Sequence, residues 1–147
     1  MNAKKTVNKG DYFVIPMSDG RGAVCQAIWM GIESEEGKFK NVFAFCVVSV
    51  GTDQRLPDEN KYLVFEEHCG PFTMIFTAVG KCLSGEWPWL GSGVLDEPDL
   101  VDFEFNMAGN LYRSGYPVRM LPIDEYRNHL DMGISGYALV ERYLMQH

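Results

Sequence analysis

The chain has 147 residues, with 13 basic and 20 acidic side chains, a net charge of -7, and 46% hydrophobic against 22% charged residues. These values describe one folded domain with an ordinary core and exclude a disordered tail protein. The negative balance argues against a protein that grips phosphate backbones, and no apolar run approaches the about 20 residues of a membrane span.

The opening MNAKKTVNKGD carries lysines with no apolar stretch behind them, so no signal peptide is expected and a cytoplasmic location follows. Residues 1–9 are read as a frayed basic leader. Tyr12 to Pro16 is a strand that ends at a proline, which lacks the ladder N–H. Met17-Ser18-Asp19-Gly20 supplies a tight turn, and residues 22–30 return as a second strand to form a hairpin. On that strand, alternation predicts Val24, Ile28 and Met30 on one face and Ala23, Cys25 and Ala27 on the other. Residues 33–40 read as a polar loop. Residues 42–50 are apolar on both faces, which suits a central strand.

Residues 51–60, with Pro57, form another loop, and 62–65 a short strand or a helical turn. In 72–83 the β-branched Thr73, Ile75, Thr77 and Val79 favour a strand to about Val79. A turn or short helix then runs to Gly85. Residues 87–91 are compact and Gly91-Ser92-Gly93 flexible. Over 101–107, Val101, Phe103 and Phe105 alternate with Asp102, Glu104 and Asn106, the pattern of a half-buried strand with a polar outer face. Gly109-Asn110 turns it toward 111–113, and 118–121 is a further strand. Ile123, Tyr126, Arg127 and Leu130 suit one short helix, and Ser135 would cap a last helix burying Leu139, Val140, Tyr143 and Leu144. The sum is α+β: a strongly bent antiparallel β-sheet, an SH3-like barrel being one form for the N-terminal half, with C-terminal helices.

Charge is segregated along this chain. Between Cys82 and Tyr112 there is no lysine or arginine, whereas Glu86, Asp96, Glu97, Asp99, Asp102 and Glu104 all fall there. The remainder has 14 acids against 13 bases. Trp87 and Trp89 lie in the same stretch. A local anionic field beside large aromatic rings suits capture of a cationic partner; the competing reading is a solvated acidic loop over two core tryptophans. A tryptophan at a sheet edge among carboxylates could also stack on an incoming arginine.

Motifs for catalysis are missing. The chain has no GxSxG, HExxH or phosphate-binding glycine loop. Cys25, Cys46, Cys69 and Cys82 contain no CxxC pair and read as buried reduced thiols. His68-Cys69 alone does not make a zinc site. His129 and a frayed His147 are the other histidines. No enzyme activity, catalytic residue, metal or cofactor is expected.

Taken in order, Lys9-Gly10-Asp11, Ile15-Pro16, Asp19-Gly20-Arg21, Phe43-Ala44-Phe45, Phe76-Thr77-Ala78-Val79 and Ser84-Gly85-Glu86-Trp87-Pro88 with Gly91 form a pattern. It resembles immunity protein family 26, small proteins encoded beside bacterial polymorphic toxins. The resemblance spans about Lys9 to Gly91 and, more loosely, the C-terminal helix. It implies a protein that binds and neutralises a cognate toxin, such as a cationic nuclease, with no nucleic-acid or membrane partner of its own. Family members usually carry a basic residue where Glu86 stands, so no binding residue carries over. The competing function is a small β-barrel adaptor or regulatory module without a toxin partner. Both a monomer and a homodimer fit the sequence.

Overall fold

The computed structural model describes residues 7–33, 37–57, 61–67, 70–95, 104–113, 116–128 and 133–147. The fold is α+β and dominated by antiparallel sheet. Strands β1 (Tyr12–Pro16) and β2 (Gly22–Met30) form the expected hairpin, closed by the Met17 to Arg21 turn. β3 (Val42–Gly51) pairs along β2. β4 (Phe65–Glu67) pairs with β5 (Gly70–Phe72) as a separate ribbon. β6 (Met74–Ala78), helix α1 (Gly80–Ser84) and β7 (Trp89–Gly91) follow. The main sheet has the order β6-β3-β2-β1-β7. Its edge strands β6 and β7 do not pair with each other, so this sheet stays open rather than closing into a barrel.

The chain then builds β8 (Glu104–Met107), β9 (Asn110–Arg113) and β10 (Tyr116–Met120), a three-stranded sheet in the order β10-β9-β8. A 3-10 segment, Ile123–Asn128, precedes α2 (Tyr137–Leu144). Residues 62–64 are neither strand nor helix; the strand begins at Phe65.

β3 explains the architecture. Its alternate residues enter two different cores: Phe43, Phe45 and Val47 one, Val42, Ala44 and Cys46 the other. A strand covered on both faces reads as a continuous apolar run, which is how 42–50 reads. The first core also takes Phe13, Ile15, Trp87, Val79 and Cys82, and is covered by Val140 and Leu144 of α2 and by Phe65 of β4. The second takes Ile28, Trp29, Phe76, Phe105 and Tyr112. The small sheet therefore packs on the face opposite α2.

Several expectations need correction. Met30 joins Ala23, Cys25 and Ala27 in the first core, while Ile28 and Trp29 share the second. The cause is a bulge between Ala27 and Trp29, which leaves Ile28 unmatched and resets the alternation. Residues 33–40 are not simply a polar loop: Phe39 is fully buried, on the short turn Gly37–Phe39. Val7 is buried, so the end of the leader belongs to the core. Asn106 is buried rather than outward, its side-chain oxygen accepting the Gly109 N–H at 2.9 Å. Ser135 does not cap α2. Gly136 holds that position, while the Ser135 carbonyl accepts from Thr77 Oγ1 and its N–H donates to Phe76. These bonds and a bridge from Ile134 to Phe76 also cover the β6 edge. Ile123, expected on a packed helical face, is exposed. His147 is not frayed. Its ring meets Phe65 edge-on at 5.2 Å, its Nε2 lies 2.7 Å from the Val64 carbonyl, and its own carbonyl accepts from Arg21.

Candidate functional site

The acid-rich stretch begins at α1. This helix ends on a left-handed Gly85, and the reversal lets the Trp87 N–H bond to the Lys81 carbonyl at 3.0 Å. Trp87 is thereby turned inward. It is 4% exposed, lies parallel to Phe13 and packs edge-on to Tyr137 and Phe45. Its surface is already spent on the core, so in this conformation it presents no face to a partner. Glu86, one residue earlier, is exposed and bonds locally with Ser84.

Trp89 sits on β7, opposite Phe13 of β1, and is half-buried. Pro88 lies between the two tryptophans and contributes its carbonyl to the Val14 N–H at 2.9 Å. The missing proline N–H makes this segment an edge, as its place in the sheet order confirms.

After β7 the chain crosses the N-terminal end of the hairpin. A side chain at Gly93 would come within 2.3 Å of the Tyr12 ring and 2.5 Å of the Gly10 carbonyl, so this glycine is fixed by close backbone approach and is not a flexible link. Gln26 holds the crossing in place. It is fully buried, and its amide donates to the carbonyls of Gly10 at 3.0 Å and Val94 at 3.3 Å while its oxygen accepts from the Tyr62 hydroxyl. Sequence reasoning passed over Gln26; the signal was one amide within the otherwise apolar run of β2. Leu95 then packs against the second core.

Asp96, Glu97, Asp99 and Asp102 lie outside the described residues. The stretch returns at Glu104, whose carboxylate is paired with Arg113 across β8 and β9 at 2.7 Å. Both partners are substantially solvated, and such surface pairs contribute only about 0–1 kcal/mol. Phe105, the next residue, is fully buried in the second core. Residues 86–104 are thus anchored at each end by an aromatic side chain, Trp87 in one core and Phe105 in the other. Glu86 and Glu104 belong to opposite faces of the main sheet.

A second surface feature was not anticipated. Every residue of β10 is exposed, and Tyr116, Val118, Met120, Ile123 and Tyr126 together place five exposed apolar side chains within residues 116–126. Met120 and Ile123 are 79% and 82% exposed. Their neighbours include the Arg119–Glu125 ion pair at 3.2 Å. The register slip between Pro117 and Arg119 places Tyr116 on the face of Arg113 and Met120 on the face of Asn110, so these side chains are spread over both sides of the small sheet.

Chemistry is sparse elsewhere. Hollows among the described residues include one of about 390 Å³ between the end of β3 and residues 52–57 and one of about 290 Å³ beside Lys9 and Leu95. Neither is lined by a described histidine or cysteine. Among the described residues no group of three His, Cys, Asp or Glu could hold a metal ion, and His68, Cys69 and His129 lie outside them. Burial raises the Cys25 thiol and pushes Cys46 and Cys82 up to about 12, so these three stay protonated and inert. No helix among the described residues is long and apolar enough to cross a membrane.

No protein-family profile, curated protein or solved structure matches the chain.

Proposed function

We propose that this protein is a cytoplasmic bacterial immunity protein that binds and neutralises a cognate polymorphic toxin, capturing it through the acid-rich stretch 86–104. The observation that carries this reading is the cation-free run of six acids from Glu86 to Glu104, flanked by Trp87 and Phe105, which are buried in the two cores. The six carboxylates of residues 86–104 have no lysine or arginine among them, and five of the six follow Trp87 and precede Phe105 in sequence. Their field draws a cationic protein at rates that reach about 10⁸–10⁹ M⁻¹s⁻¹ at low salt. A toxin that must hold a polyanion offers such a cationic cleft. Glu86, Trp89, Glu104 and the acids between them are the contact candidates, while Trp87 serves as their internal anchor. The reading includes no catalytic step, cofactor or nucleic-acid ligand.

The order of motifs resembling immunity protein family 26 gives the same direction. A small adaptor or regulatory module without a toxin partner is the second reading, and the exposed apolar side chains of residues 116–126 favour it equally, because any protein partner could use them. Co-expression with the product of the gene immediately upstream separates the two. A stable complex that abolishes the toxicity of that product is expected. A harmless upstream product, or one that ignores this protein, removes the immunity reading.

A further inference from the structure

The segment after α2 closes one edge of the β4–β5 ribbon with side chains. Gln146 engages both polar groups of the Glu66 backbone: its side-chain oxygen accepts the Glu66 N–H and its amide donates to the Glu66 carbonyl, each at 2.9 Å. His147 Nε2 lies 2.7 Å from the Val64 carbonyl, and because a carbonyl only accepts, this ring nitrogen carries the hydrogen. Glu66 stands opposite Pro71 of β5, which has no N–H to offer. In an antiparallel pair, alternate residues turn their N–H and C=O away from the partner strand, and Glu66 is such a residue. Gln146 and His147 therefore occupy the place of a neighbouring strand.

The donor and acceptor of the Gln146 amide are those of a peptide group. A residue of an added antiparallel strand would exchange the same two bonds with Glu66. What this edge recognises is thus a main-chain amide. The present bonds join exposed residues, where exchanging one partner for another of the same kind changes the free energy little. Nor does α2 depend on them. Val140 and Leu144 are fully buried in the first core, the Tyr143 ring lies 4.8 Å from that of Phe72, and the Tyr143 hydroxyl donates to Glu67. The side chains of Gln146 and His147 can leave the edge while the helix stays docked.

We propose that the outer edge of β4, at Val64 and Glu66, docks an extended strand of a partner protein that places a lysine or arginine opposite Glu66, and that Gln146 and His147 hold the site shut as an internal stand-in for that strand. Main-chain bonds supply the recognition, as in other additions of a strand to a sheet edge. Charge selects the occupant. Glu66 and Glu67 are both exposed, and a basic residue directly across from Glu66 makes a favourable cross-strand pair. A second copy joined edge to edge would set its own Glu66 and Glu67 against the same acids, which disfavours self-pairing. The proposal does not depend on the toxin-binding reading.

The test is an NMR titration of the full chain with a blocked peptide of threonines around a central arginine, together with sedimentation of each protein alone. The parent is compared with the double variant Gln146→Ala, His147→Ala and with Gln146→Met, which keeps the side-chain length and loses both hydrogen bonds. Both variants should bind the peptide about tenfold more tightly than the parent, because the competing internal ligand is gone. The amides of residues 64–67 should shift on binding. The same peptide N-methylated at the arginine, and one with glutamate in its place, should bind markedly more weakly. Equal affinity for the parent and both variants overturns the internal stand-in. Binding unchanged by N-methylation, or no shift at residues 64–67 in any form, overturns the strand site. Variants that sediment as dimers without peptide assign the edge to a second copy and overturn the heterologous partner.

Discussion

The rings of Trp87 and Phe13 lie stacked, with centroids 6.0 Å apart and planes 14° from parallel. This contact ties the start of the acidic stretch to the first strand of the main sheet, and it separates the roles of two neighbouring tryptophans. Trp87→Ala should destabilise the protein by about 3–5 kcal/mol, as loss of a buried aromatic does. Trp89→Ala, at a half-buried edge position, should cost clearly less while weakening partner binding. Urea unfolding followed by circular dichroism checks both. Equal stability losses would contradict the division of labour.

Gln26 is a satisfied amide inside an apolar strand, and it grips both Gly10 and Val94. Gln26→Leu leaves those carbonyls and the Tyr62 hydroxyl without this partner. A loss of about 1–3 kcal/mol is expected. Hydrogen exchange should rise first in residues 93–95, because the crossing is released before the sheet opens. Uniform destabilisation with no local change would mean that Gln26 does not hold the crossing.

Ala108 has a φ of 53° and Gly109 one of 89°, at the turn joining β8 to β9. Positive φ at both central positions defines a turn that prefers Asn-Gly. Alanine in this region carries a steric cost of about 1–2 kcal/mol. Ala108 is exposed, so Ala108→Asn should gain about 1 kcal/mol with no repacking. A melting temperature that falls would show that the turn geometry is different.

Cys25, Cys46 and Cys82 are buried, and burial keeps their thiols protonated well above neutral pH. In a Cys69→Ser background, a thiol reagent at pH 8 should label none of the three in the native protein and all three in denaturant. Labelling in the native state, at a rate above that of global unfolding, would place at least one of them at the surface.

How much of this was legible in the sequence varied with the physics behind each element. The β1–β2 hairpin could be read because Asp19-Gly20 specifies its turn and Pro16 its end. β3 could be read because a strand buried on both faces needs no alternation. The fate of Ile28 could not, since a bulge adds one residue without changing composition. Asn106 followed the polar phase of an alternating strand, but its side chain caps a turn. Trp87 sits beside Pro88 and among acids, which suggests a surface; a backbone reversal at Gly85 turns it inward. The exposure of β10 was missed because 118–121 reads as an ordinary strand, and the slip between Pro117 and Arg119 leaves no mark in composition.

The central claim is electrostatic capture of a cationic protein by the stretch 86–104. Its most direct test is the association rate with the upstream gene product, measured by stopped flow across ionic strengths from about 0.05 to 0.5 M, where screening shortens the reach of surface charge several-fold. The account predicts a rate that falls steeply with salt, and a slower, nearly salt-independent rate when Asp99, Asp102 and Glu104 are all replaced by lysine. A parent rate that ignores salt, or a charge-reversed protein that associates as fast as the parent, would contradict it.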